Sequence, residues 1–255
     1  MIEVNELFFT YSHTPPLFQH FNWNVKRGEK WAIIGSSGCG KTTLLYLLAG
    51  LLTPSGGKII IDGEHLTHPR PRTGLILQDY GLLPWATVRQ NAELGTHIRG
   101  FYGPDGKHAP IDPARKTTVQ AWLTRLGIDS IADKYPSQVS GGQRQRTAIA
   151  RTLVLDPDIL LMDEPFSSLD AITREDLQNL VLDLSEEQGL TLVIVTHAIE
   201  EAAALGNKIL LLGADSRKKM RVFDNPQSGY PDYRRSKSYQ DLCIQLWKAM
   251  QDEAA

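Results

Sequence analysis

Two features of this 255-residue sequence predict an α/β fold with a mostly parallel sheet. First, short apolar runs recur at 31–34, 58–61, 74–77, 159–162, 192–195 and 208–212, with helical stretches between them. Runs of this length that alternate with helices indicate parallel strands covered on both faces. Second, three of the runs lead directly into polar motifs: GSSGCGKTT at 35–43, Asp163-Glu164, and Thr196-His197. Ligands in such sheets collect at the carboxyl ends of the strands, so the three motifs are expected on one edge. With 42% of residues apolar and 22% charged, the composition is an ordinary globular balance. The length suits one large α/β domain or a core with a subdomain.

The first polar motif has the spacing of the phosphate-binding loop G-x-x-x-x-G-K-[ST], with Gly35, Gly40, Lys41 and Thr42 in its fixed places. Ser36, Ser37, Gly38 and Cys39 fill the loop, and Thr43 follows it. Glycines let backbone N–H groups crowd around an oxyanion, and a helix starting near Lys41 aims its positive end at the same point. Lys41 adds a full charge for β- and γ-phosphates, and Thr42 offers a hydroxyl to Mg²⁺. A nucleoside triphosphate is the expected ligand.

Residues 85–151 are mainly helical in character, interrupted by a Gly/Pro-rich loop at 102–110. They predict a helical subdomain inserted into the core, with that loop exposed at its tip. Within it, Ser140, Gly141, Gly142 and Gln143 open the helix QRQRTAIARTLVL, a second helix N-terminus suited to an anion. The run ILLM then ends in Asp163 and Glu164. Adjacent carboxylates at a buried strand end repel unless a cation or a reaction uses them. Beside a phosphate loop, Asp163 would hold the magnesium shell and Glu164 would accept a proton from the attacking water. Near the end, SYQDLCIQLWKAM places Tyr239, Leu242, Cys243, Leu246, Trp247 and Met250 at helical steps. That stripe is expected to pack on the chain's own core or to form a docking surface.

Other features narrow the partners. A formal net charge of −2 gives no global basic field, so nucleic acid is not expected. Two cysteines, Cys39 and Cys243, form no disulfide framework and suit a reducing cytosol. The N-terminus MIEVNELFF lacks the basic segment of a signal peptide. The longest apolar run, 44–52, is too short to span a bilayer. Any membrane role is therefore expected to come through a partner.

Phosphate loop, VSGGQ at 139–143 and the carboxylate pair twenty residues later occur in an order that resembles the ATP-binding cassette (ABC) ATPases. Val139 replaces the leucine usual in their LSGGQ signature. The resemblance implies a RecA-like P-loop NTPase core over 1–84 and 152–215, with antiparallel strands at the N-terminus. It implies a signature subdomain over 85–151 and a tail with its amphipathic helix over 216–255. Gln78 matches the Q-loop that touches magnesium and the attacking water, and Asp170 of SSLD matches the D-loop. His197 matches the switch histidine at the γ-phosphate, and Tyr11 stands where an aromatic stacks on adenine. The implied cofactors are ATP and Mg²⁺. The implied partner is a second copy, whose signature closes over the nucleotide.

LLPW at 82–85 and the tail FDNPQSGYPDYRRSKSY resemble the nitrate/sulfonate/taurine importer group. That likeness implies a permease interface at Leu83 and Trp85, with a substrate-binding protein feeding the permease. The chain would sit on the cytoplasmic side of the membrane, attached through the permease. An exporter ATPase and a soluble cassette without a permease, as in repair machines or assembly scaffolds, are the alternatives.

Overall fold

The computed structural model describes residues 1–12, 14–102, 114–213 and 220–254. The chain begins with two antiparallel strands, β1 (Ile2–Phe9) and β2 (Phe18–Val25). They join β4 (Gly56–Ile61) and β5 (Glu64–His65) in a four-stranded antiparallel sheet of order β2-β1-β4-β5. Ile2, Val4, Leu7 and Phe9 point inward from β1, and Phe18, Trp23 and Val25 from β2. The pairing shifts register between Val4 and Leu7, where Glu6 has a φ of 49°. Such a bulge moves later side chains by one place and keeps Leu7 and Phe9 on the buried face.

A second sheet holds β3 (Lys30–Gly35), β6 (Thr73–Ile76), β7 (Ile159–Asp163), β8 (Thr191–Val195), β9 (Lys208–Leu212) and β10 (Arg221–Asp224). Its order is β10-β9-β3-β8-β7-β6, parallel throughout except for the antiparallel edge strand β10. Every residue of β7 and β8 is buried, as expected for strands covered on both faces. Five of the six apolar runs thus lie in the parallel sheet. The run at 58–61 does not: it belongs to β4 and pairs antiparallel with β1. Alternate burial in β4, with Ile59 and Ile61 inside and Lys58 exposed, suits a sheet with one wet face.

One core lies between the two sheets and takes in Leu44, Leu45, Leu47 and Leu48 of α1 (Lys41–Leu48). A second core covers the other side of β6, β7 and β8, and joins them to α2 (Val88–Tyr102), α3 (Ala114–Arg125), α4 (Gly141–Leu153) and α5 (Ala171–Glu187). Helices α2, α3 and α4 pack on one another. A third, smaller core sets α6 (Ile199–Leu205) and α7 (Lys237–Ala254) against β3 and β9. On α7, Leu246 and Ala249 are buried, whereas Trp247 is 53% exposed. The predicted apolar stripe therefore packs on the chain's own core except at Trp247. Most of the loop predicted at 102–110 lies outside the described residues. Among the described residues, no helix is long and apolar enough to cross a membrane.

Candidate active site

The phosphate loop leaves β3 and runs into α1, at the carboxyl edge of the parallel sheet. Two of its glycines are required by contact. A Cβ at Gly35 would stand 2.4 Å from the Leu212 carbonyl oxygen, and one at Gly40 2.9 Å from Leu17 and Phe18 carbons. Gly40 also has a φ of 105°, which side chains rarely adopt. Lys41 is buried, and its Nζ donates to the carbonyls of Gly35 (2.9 Å) and Ser36 (2.8 Å). The amine is thereby held inside the loop that its charge serves.

From the ends of β7 and β8 come the other polar groups. Asp163 is buried, and its Oδ1 accepts from the Thr42 hydroxyl at 3.1 Å. Burial raises the Asp163 carboxyl above the ordinary range, against the Thr42 hydrogen bond, and the neighbouring Glu164 raises it further. A carboxylate so placed favours a cation. Glu164 adopts a φ of 45°, a strained conformation for a residue with a side chain, and its N–H donates to the Val195 carbonyl at 2.9 Å. This turn separates the two neighbouring carboxylates: Asp163 faces Thr42, while Glu164 faces His197. His197 Nε2 lies 2.6 Å from Glu164 Oε1, and Gln78 Nε2 donates to Glu164 Oε2 at 3.3 Å.

A cleft of about 470 Å³ opens over these groups, lined by Tyr11, Ser37, Gly38, Lys41, Thr42, Thr43, Glu164 and His197 among others. Tyr11 is 45% exposed at its rim; its hydroxyl is 3.1 Å from that of Thr43, and its ring packs edge-on against Phe9. The donor set fits magnesium in kind: the Thr42 hydroxyl and the Asp163 carboxylate are paired at 3.1 Å, and Gln78, joined to the neighbouring Glu164, carries a side-chain oxygen, the ligand type that hard cation takes. Among the described residues no three His, Cys, Asp or Glu side chains form a self-sufficient metal site. Magnesium bound with a nucleotide needs none, because phosphates and waters complete its shell.

Residues 140–143 do not line this cleft. They begin α4, where the Ser140 hydroxyl accepts from the Gln143 N–H (3.3 Å) and the Gln143 side chain accepts from the Ser140 N–H (3.0 Å). This capping box stabilises the helix start. A Cβ at Gly142 would meet Thr173 of α5 at 2.5 Å, so close helix packing requires that glycine. Asp170 caps α5 through the Thr173 N–H at 3.0 Å.

At the Q-loop, Leu82 packs on the second core, and Leu83 is held through its backbone by buried Asn91 at 2.8 and 3.1 Å. Trp85 is 73% exposed. Sequence reasoning missed Tyr80, whose hydroxyl is 2.6 Å from that of Ser168, within the SSLD stretch. It also missed Arg151 of α4, which donates to the carbonyls of Tyr80 and Gly81 at 2.7 and 2.6 Å. No spacing rule joins residues 70 or more positions apart; only the fold does.

Comparison with known proteins decides the family. The ABC transporter family model matches residues 18–167. An aliphatic sulfonates import ATP-binding protein of Bacillus cereus is 38% identical over 240 residues, covering 94% of this chain and 90% of its own. The chain belongs to the ABC transporter family. Another relative, a taurine import ATP-binding protein of Pelagibacter ubique, is 40% identical over 191 residues, 75% of this chain and 69% of the relative. Among solved structures, the ATP-binding cassette MJ0796, a dimer in a post-hydrolysis state bound to ADP and phosphate, superposes with a TM-score of 0.74. It is 31% identical and covers 87% of this ABC chain and 98% of its own.

Proposed function

We propose that this ABC chain is the ATP-hydrolysing subunit of an importer, working as a pair of copies on a separate membrane permease. The observation that carries the reading is the junction of His197 and Gln78 on Glu164, beside Lys41, Thr42 and Asp163. ATP lies along residues 35–43 with its adenine on Tyr11. Lys41 exchanges its two loop carbonyls for β- and γ-phosphate oxygens. Thr42, Asp163 and Gln78 would hold Mg²⁺, which would neutralise phosphate charge. Glu164 takes the proton of the attacking water, and His197 orients Glu164 and contacts the γ-phosphate. The α4 N-terminus at Ser140–Gln143 serves the nucleotide of a second copy, in keeping with its absence from this chain's own cleft. Asp170 lies on the same closing face.

On this reading, 1–84 and 152–215 form the ATP-binding core, 85–151 the signature subdomain and 216–255 the tail. Leu83 and Trp85 meet the permease, which keeps the chain at the cytoplasmic face of the membrane. The relatives' import of sulfonates and taurine supports a small anionic or zwitterionic solute of that type, delivered by a substrate-binding protein. Purification of the tagged chain from membranes tests this directly. Recovery with a permease that accumulates such a solute inside vesicles or cells is expected. Recovery with a permease that expels its substrate, or from the soluble fraction alone, overturns it.

A further inference from the structure

We propose that Arg234, in the segment between β10 and α7, is a positioning residue for ATP hydrolysis, holding His197 through a buried relay of Gln178, Glu201 and Thr196. This rests on the reading of His197 given above. Arg234 Nη1 donates to Gln178 Oε1 at 2.8 Å, and Gln178 Nε2 donates to Glu201 Oε1 at 3.0 Å. The other Glu201 oxygen accepts from the Thr196 hydroxyl at 2.5 Å. That hydroxyl accepts in turn from the Ala198 N–H at 3.1 Å, so the residues on both sides of His197 are tied. Gln178, Glu201 and Thr196 are each no more than 5% exposed. Inside a protein such bonds are strong, and a broken link leaves a buried polar group without its partner.

The start of the relay is fixed as firmly as its end. Asn225, after β10, donates to the carbonyls of Ala203 and Gly206 at 2.7 and 2.8 Å, and accepts from the Tyr233 hydroxyl. Tyr233 packs edge-on against Tyr239, whose hydroxyl donates to the Glu200 carbonyl at 3.0 Å. The segment and the first turn of α7 are thus bound at the two ends of α6, and Arg234 is presented to α5 from between these anchors. At the far end, Thr196 N–H donates to Ile33 of β3 at 3.1 Å, and His197 meets Glu164 at 2.6 Å. The relay thus fixes the backbone on either side of His197, and with it the point from which the ring reaches Glu164.

The test is a double-mutant cycle on the full chain, measuring kcat and KM for ATP with the melting temperature as a control. Arg234→Ala, which loses the bonds to Gln178 and Asn179, and Thr196→Val, which loses those to Glu201 and Ala198, are each expected to lower kcat about 5- to 10-fold, with KM within about twofold. The double variant should be no slower than the slower single one. Arg234→Lys, which keeps a charged donor, should recover most of the rate. Parental kcat in Arg234→Ala, a change in KM alone, or losses that multiply in the double variant overturn the relay. If alanine unfolds the chain, Arg234→Met, with its aliphatic stem, is measured instead against the same outcomes. His197→Ala with parental turnover is a distinct result: it refutes the role of His197, and the relay with it.

Discussion

Trp85→Ala separates a docking side chain from a core one. Trp85 is 73% exposed, so the chain itself covers only about a quarter of a side chain of roughly 250 Å². At about 25 cal/mol per Å², the covered part contributes roughly 1–2 kcal/mol to folding. A fully buried tryptophan would cost about 3–5 kcal/mol on truncation. If a permease covers the rest, the area involved is about three times larger, and central aromatic anchors commonly cost about 2 kcal/mol or more. That weakens assembly about 30-fold or more. The hydrogen bonds from Asn91 to Leu83 do not involve the indole, so the loop should keep its shape. Denaturant unfolding and ATP affinity of the isolated chain are therefore expected to change little, while recovery with the permease and uptake fall sharply. A stability loss above about 3 kcal/mol, or normal assembly and uptake, would refute the reasoning.

Three further outcomes follow from the same geometry. Lys41→Ala should weaken ATP binding at least tenfold in a calorimetric titration, because a charged donor to the phosphates is lost; parental affinity would sink the phosphate-loop assignment. Tyr11→Ala should raise the Kd for ATP several-fold and Tyr11→Phe should not, since the ring rather than the Thr43-facing hydroxyl carries the contact. Asp158 is buried, which raises its carboxyl, but hydrogen bonds and charge from Arg70 outweigh this and leave it below the ordinary range. A carboxyl lowered on folding stabilises above the ordinary carboxylate range and loses that contribution as pH falls through the lowered value. Asp158→Asn should thus destabilise the chain by about 3 kcal/mol at neutral pH and flatten the acid limb of its stability curve; an unchanged limb in pH-dependent unfolding counts against it.

The parallel sheet was legible because β3, β7, β8 and β9 are largely apolar runs buried on both faces, and edge strand β6, with Gly74 and Ile76 buried, still shows a short apolar end. The run at 58–61 looks the same in one dimension, and only its partner β1 reveals the antiparallel pairing. Bulges at Glu6 and His20 break the alternation that would otherwise mark β1 and β2. Edge strand β10, RVFD, is too short and polar to stand out. In the site, the loop and strand-end motifs were readable because phosphate and magnesium demand particular residue types at fixed spacing. The turn at Glu164, the Tyr80–Ser168 contact and the path from Arg234 to Thr196 were not, since each depends on backbone geometry or on partners far apart in the chain.

The central claim, that Glu164 is the catalytic base of an ATP-closed pair, is tested most directly by Glu164→Gln with Mg-ATP. The amide is nearly isosteric and can still hydrogen-bond to His197, but it cannot take the water's proton. Light scattering during size-exclusion chromatography should show a long-lived species of twice 28.4 kDa that forms only with ATP, with turnover reduced about 10²-fold or more. A variant that stays at 28.4 kDa with saturating ATP, or hydrolyses it at the parental rate, would contradict the account.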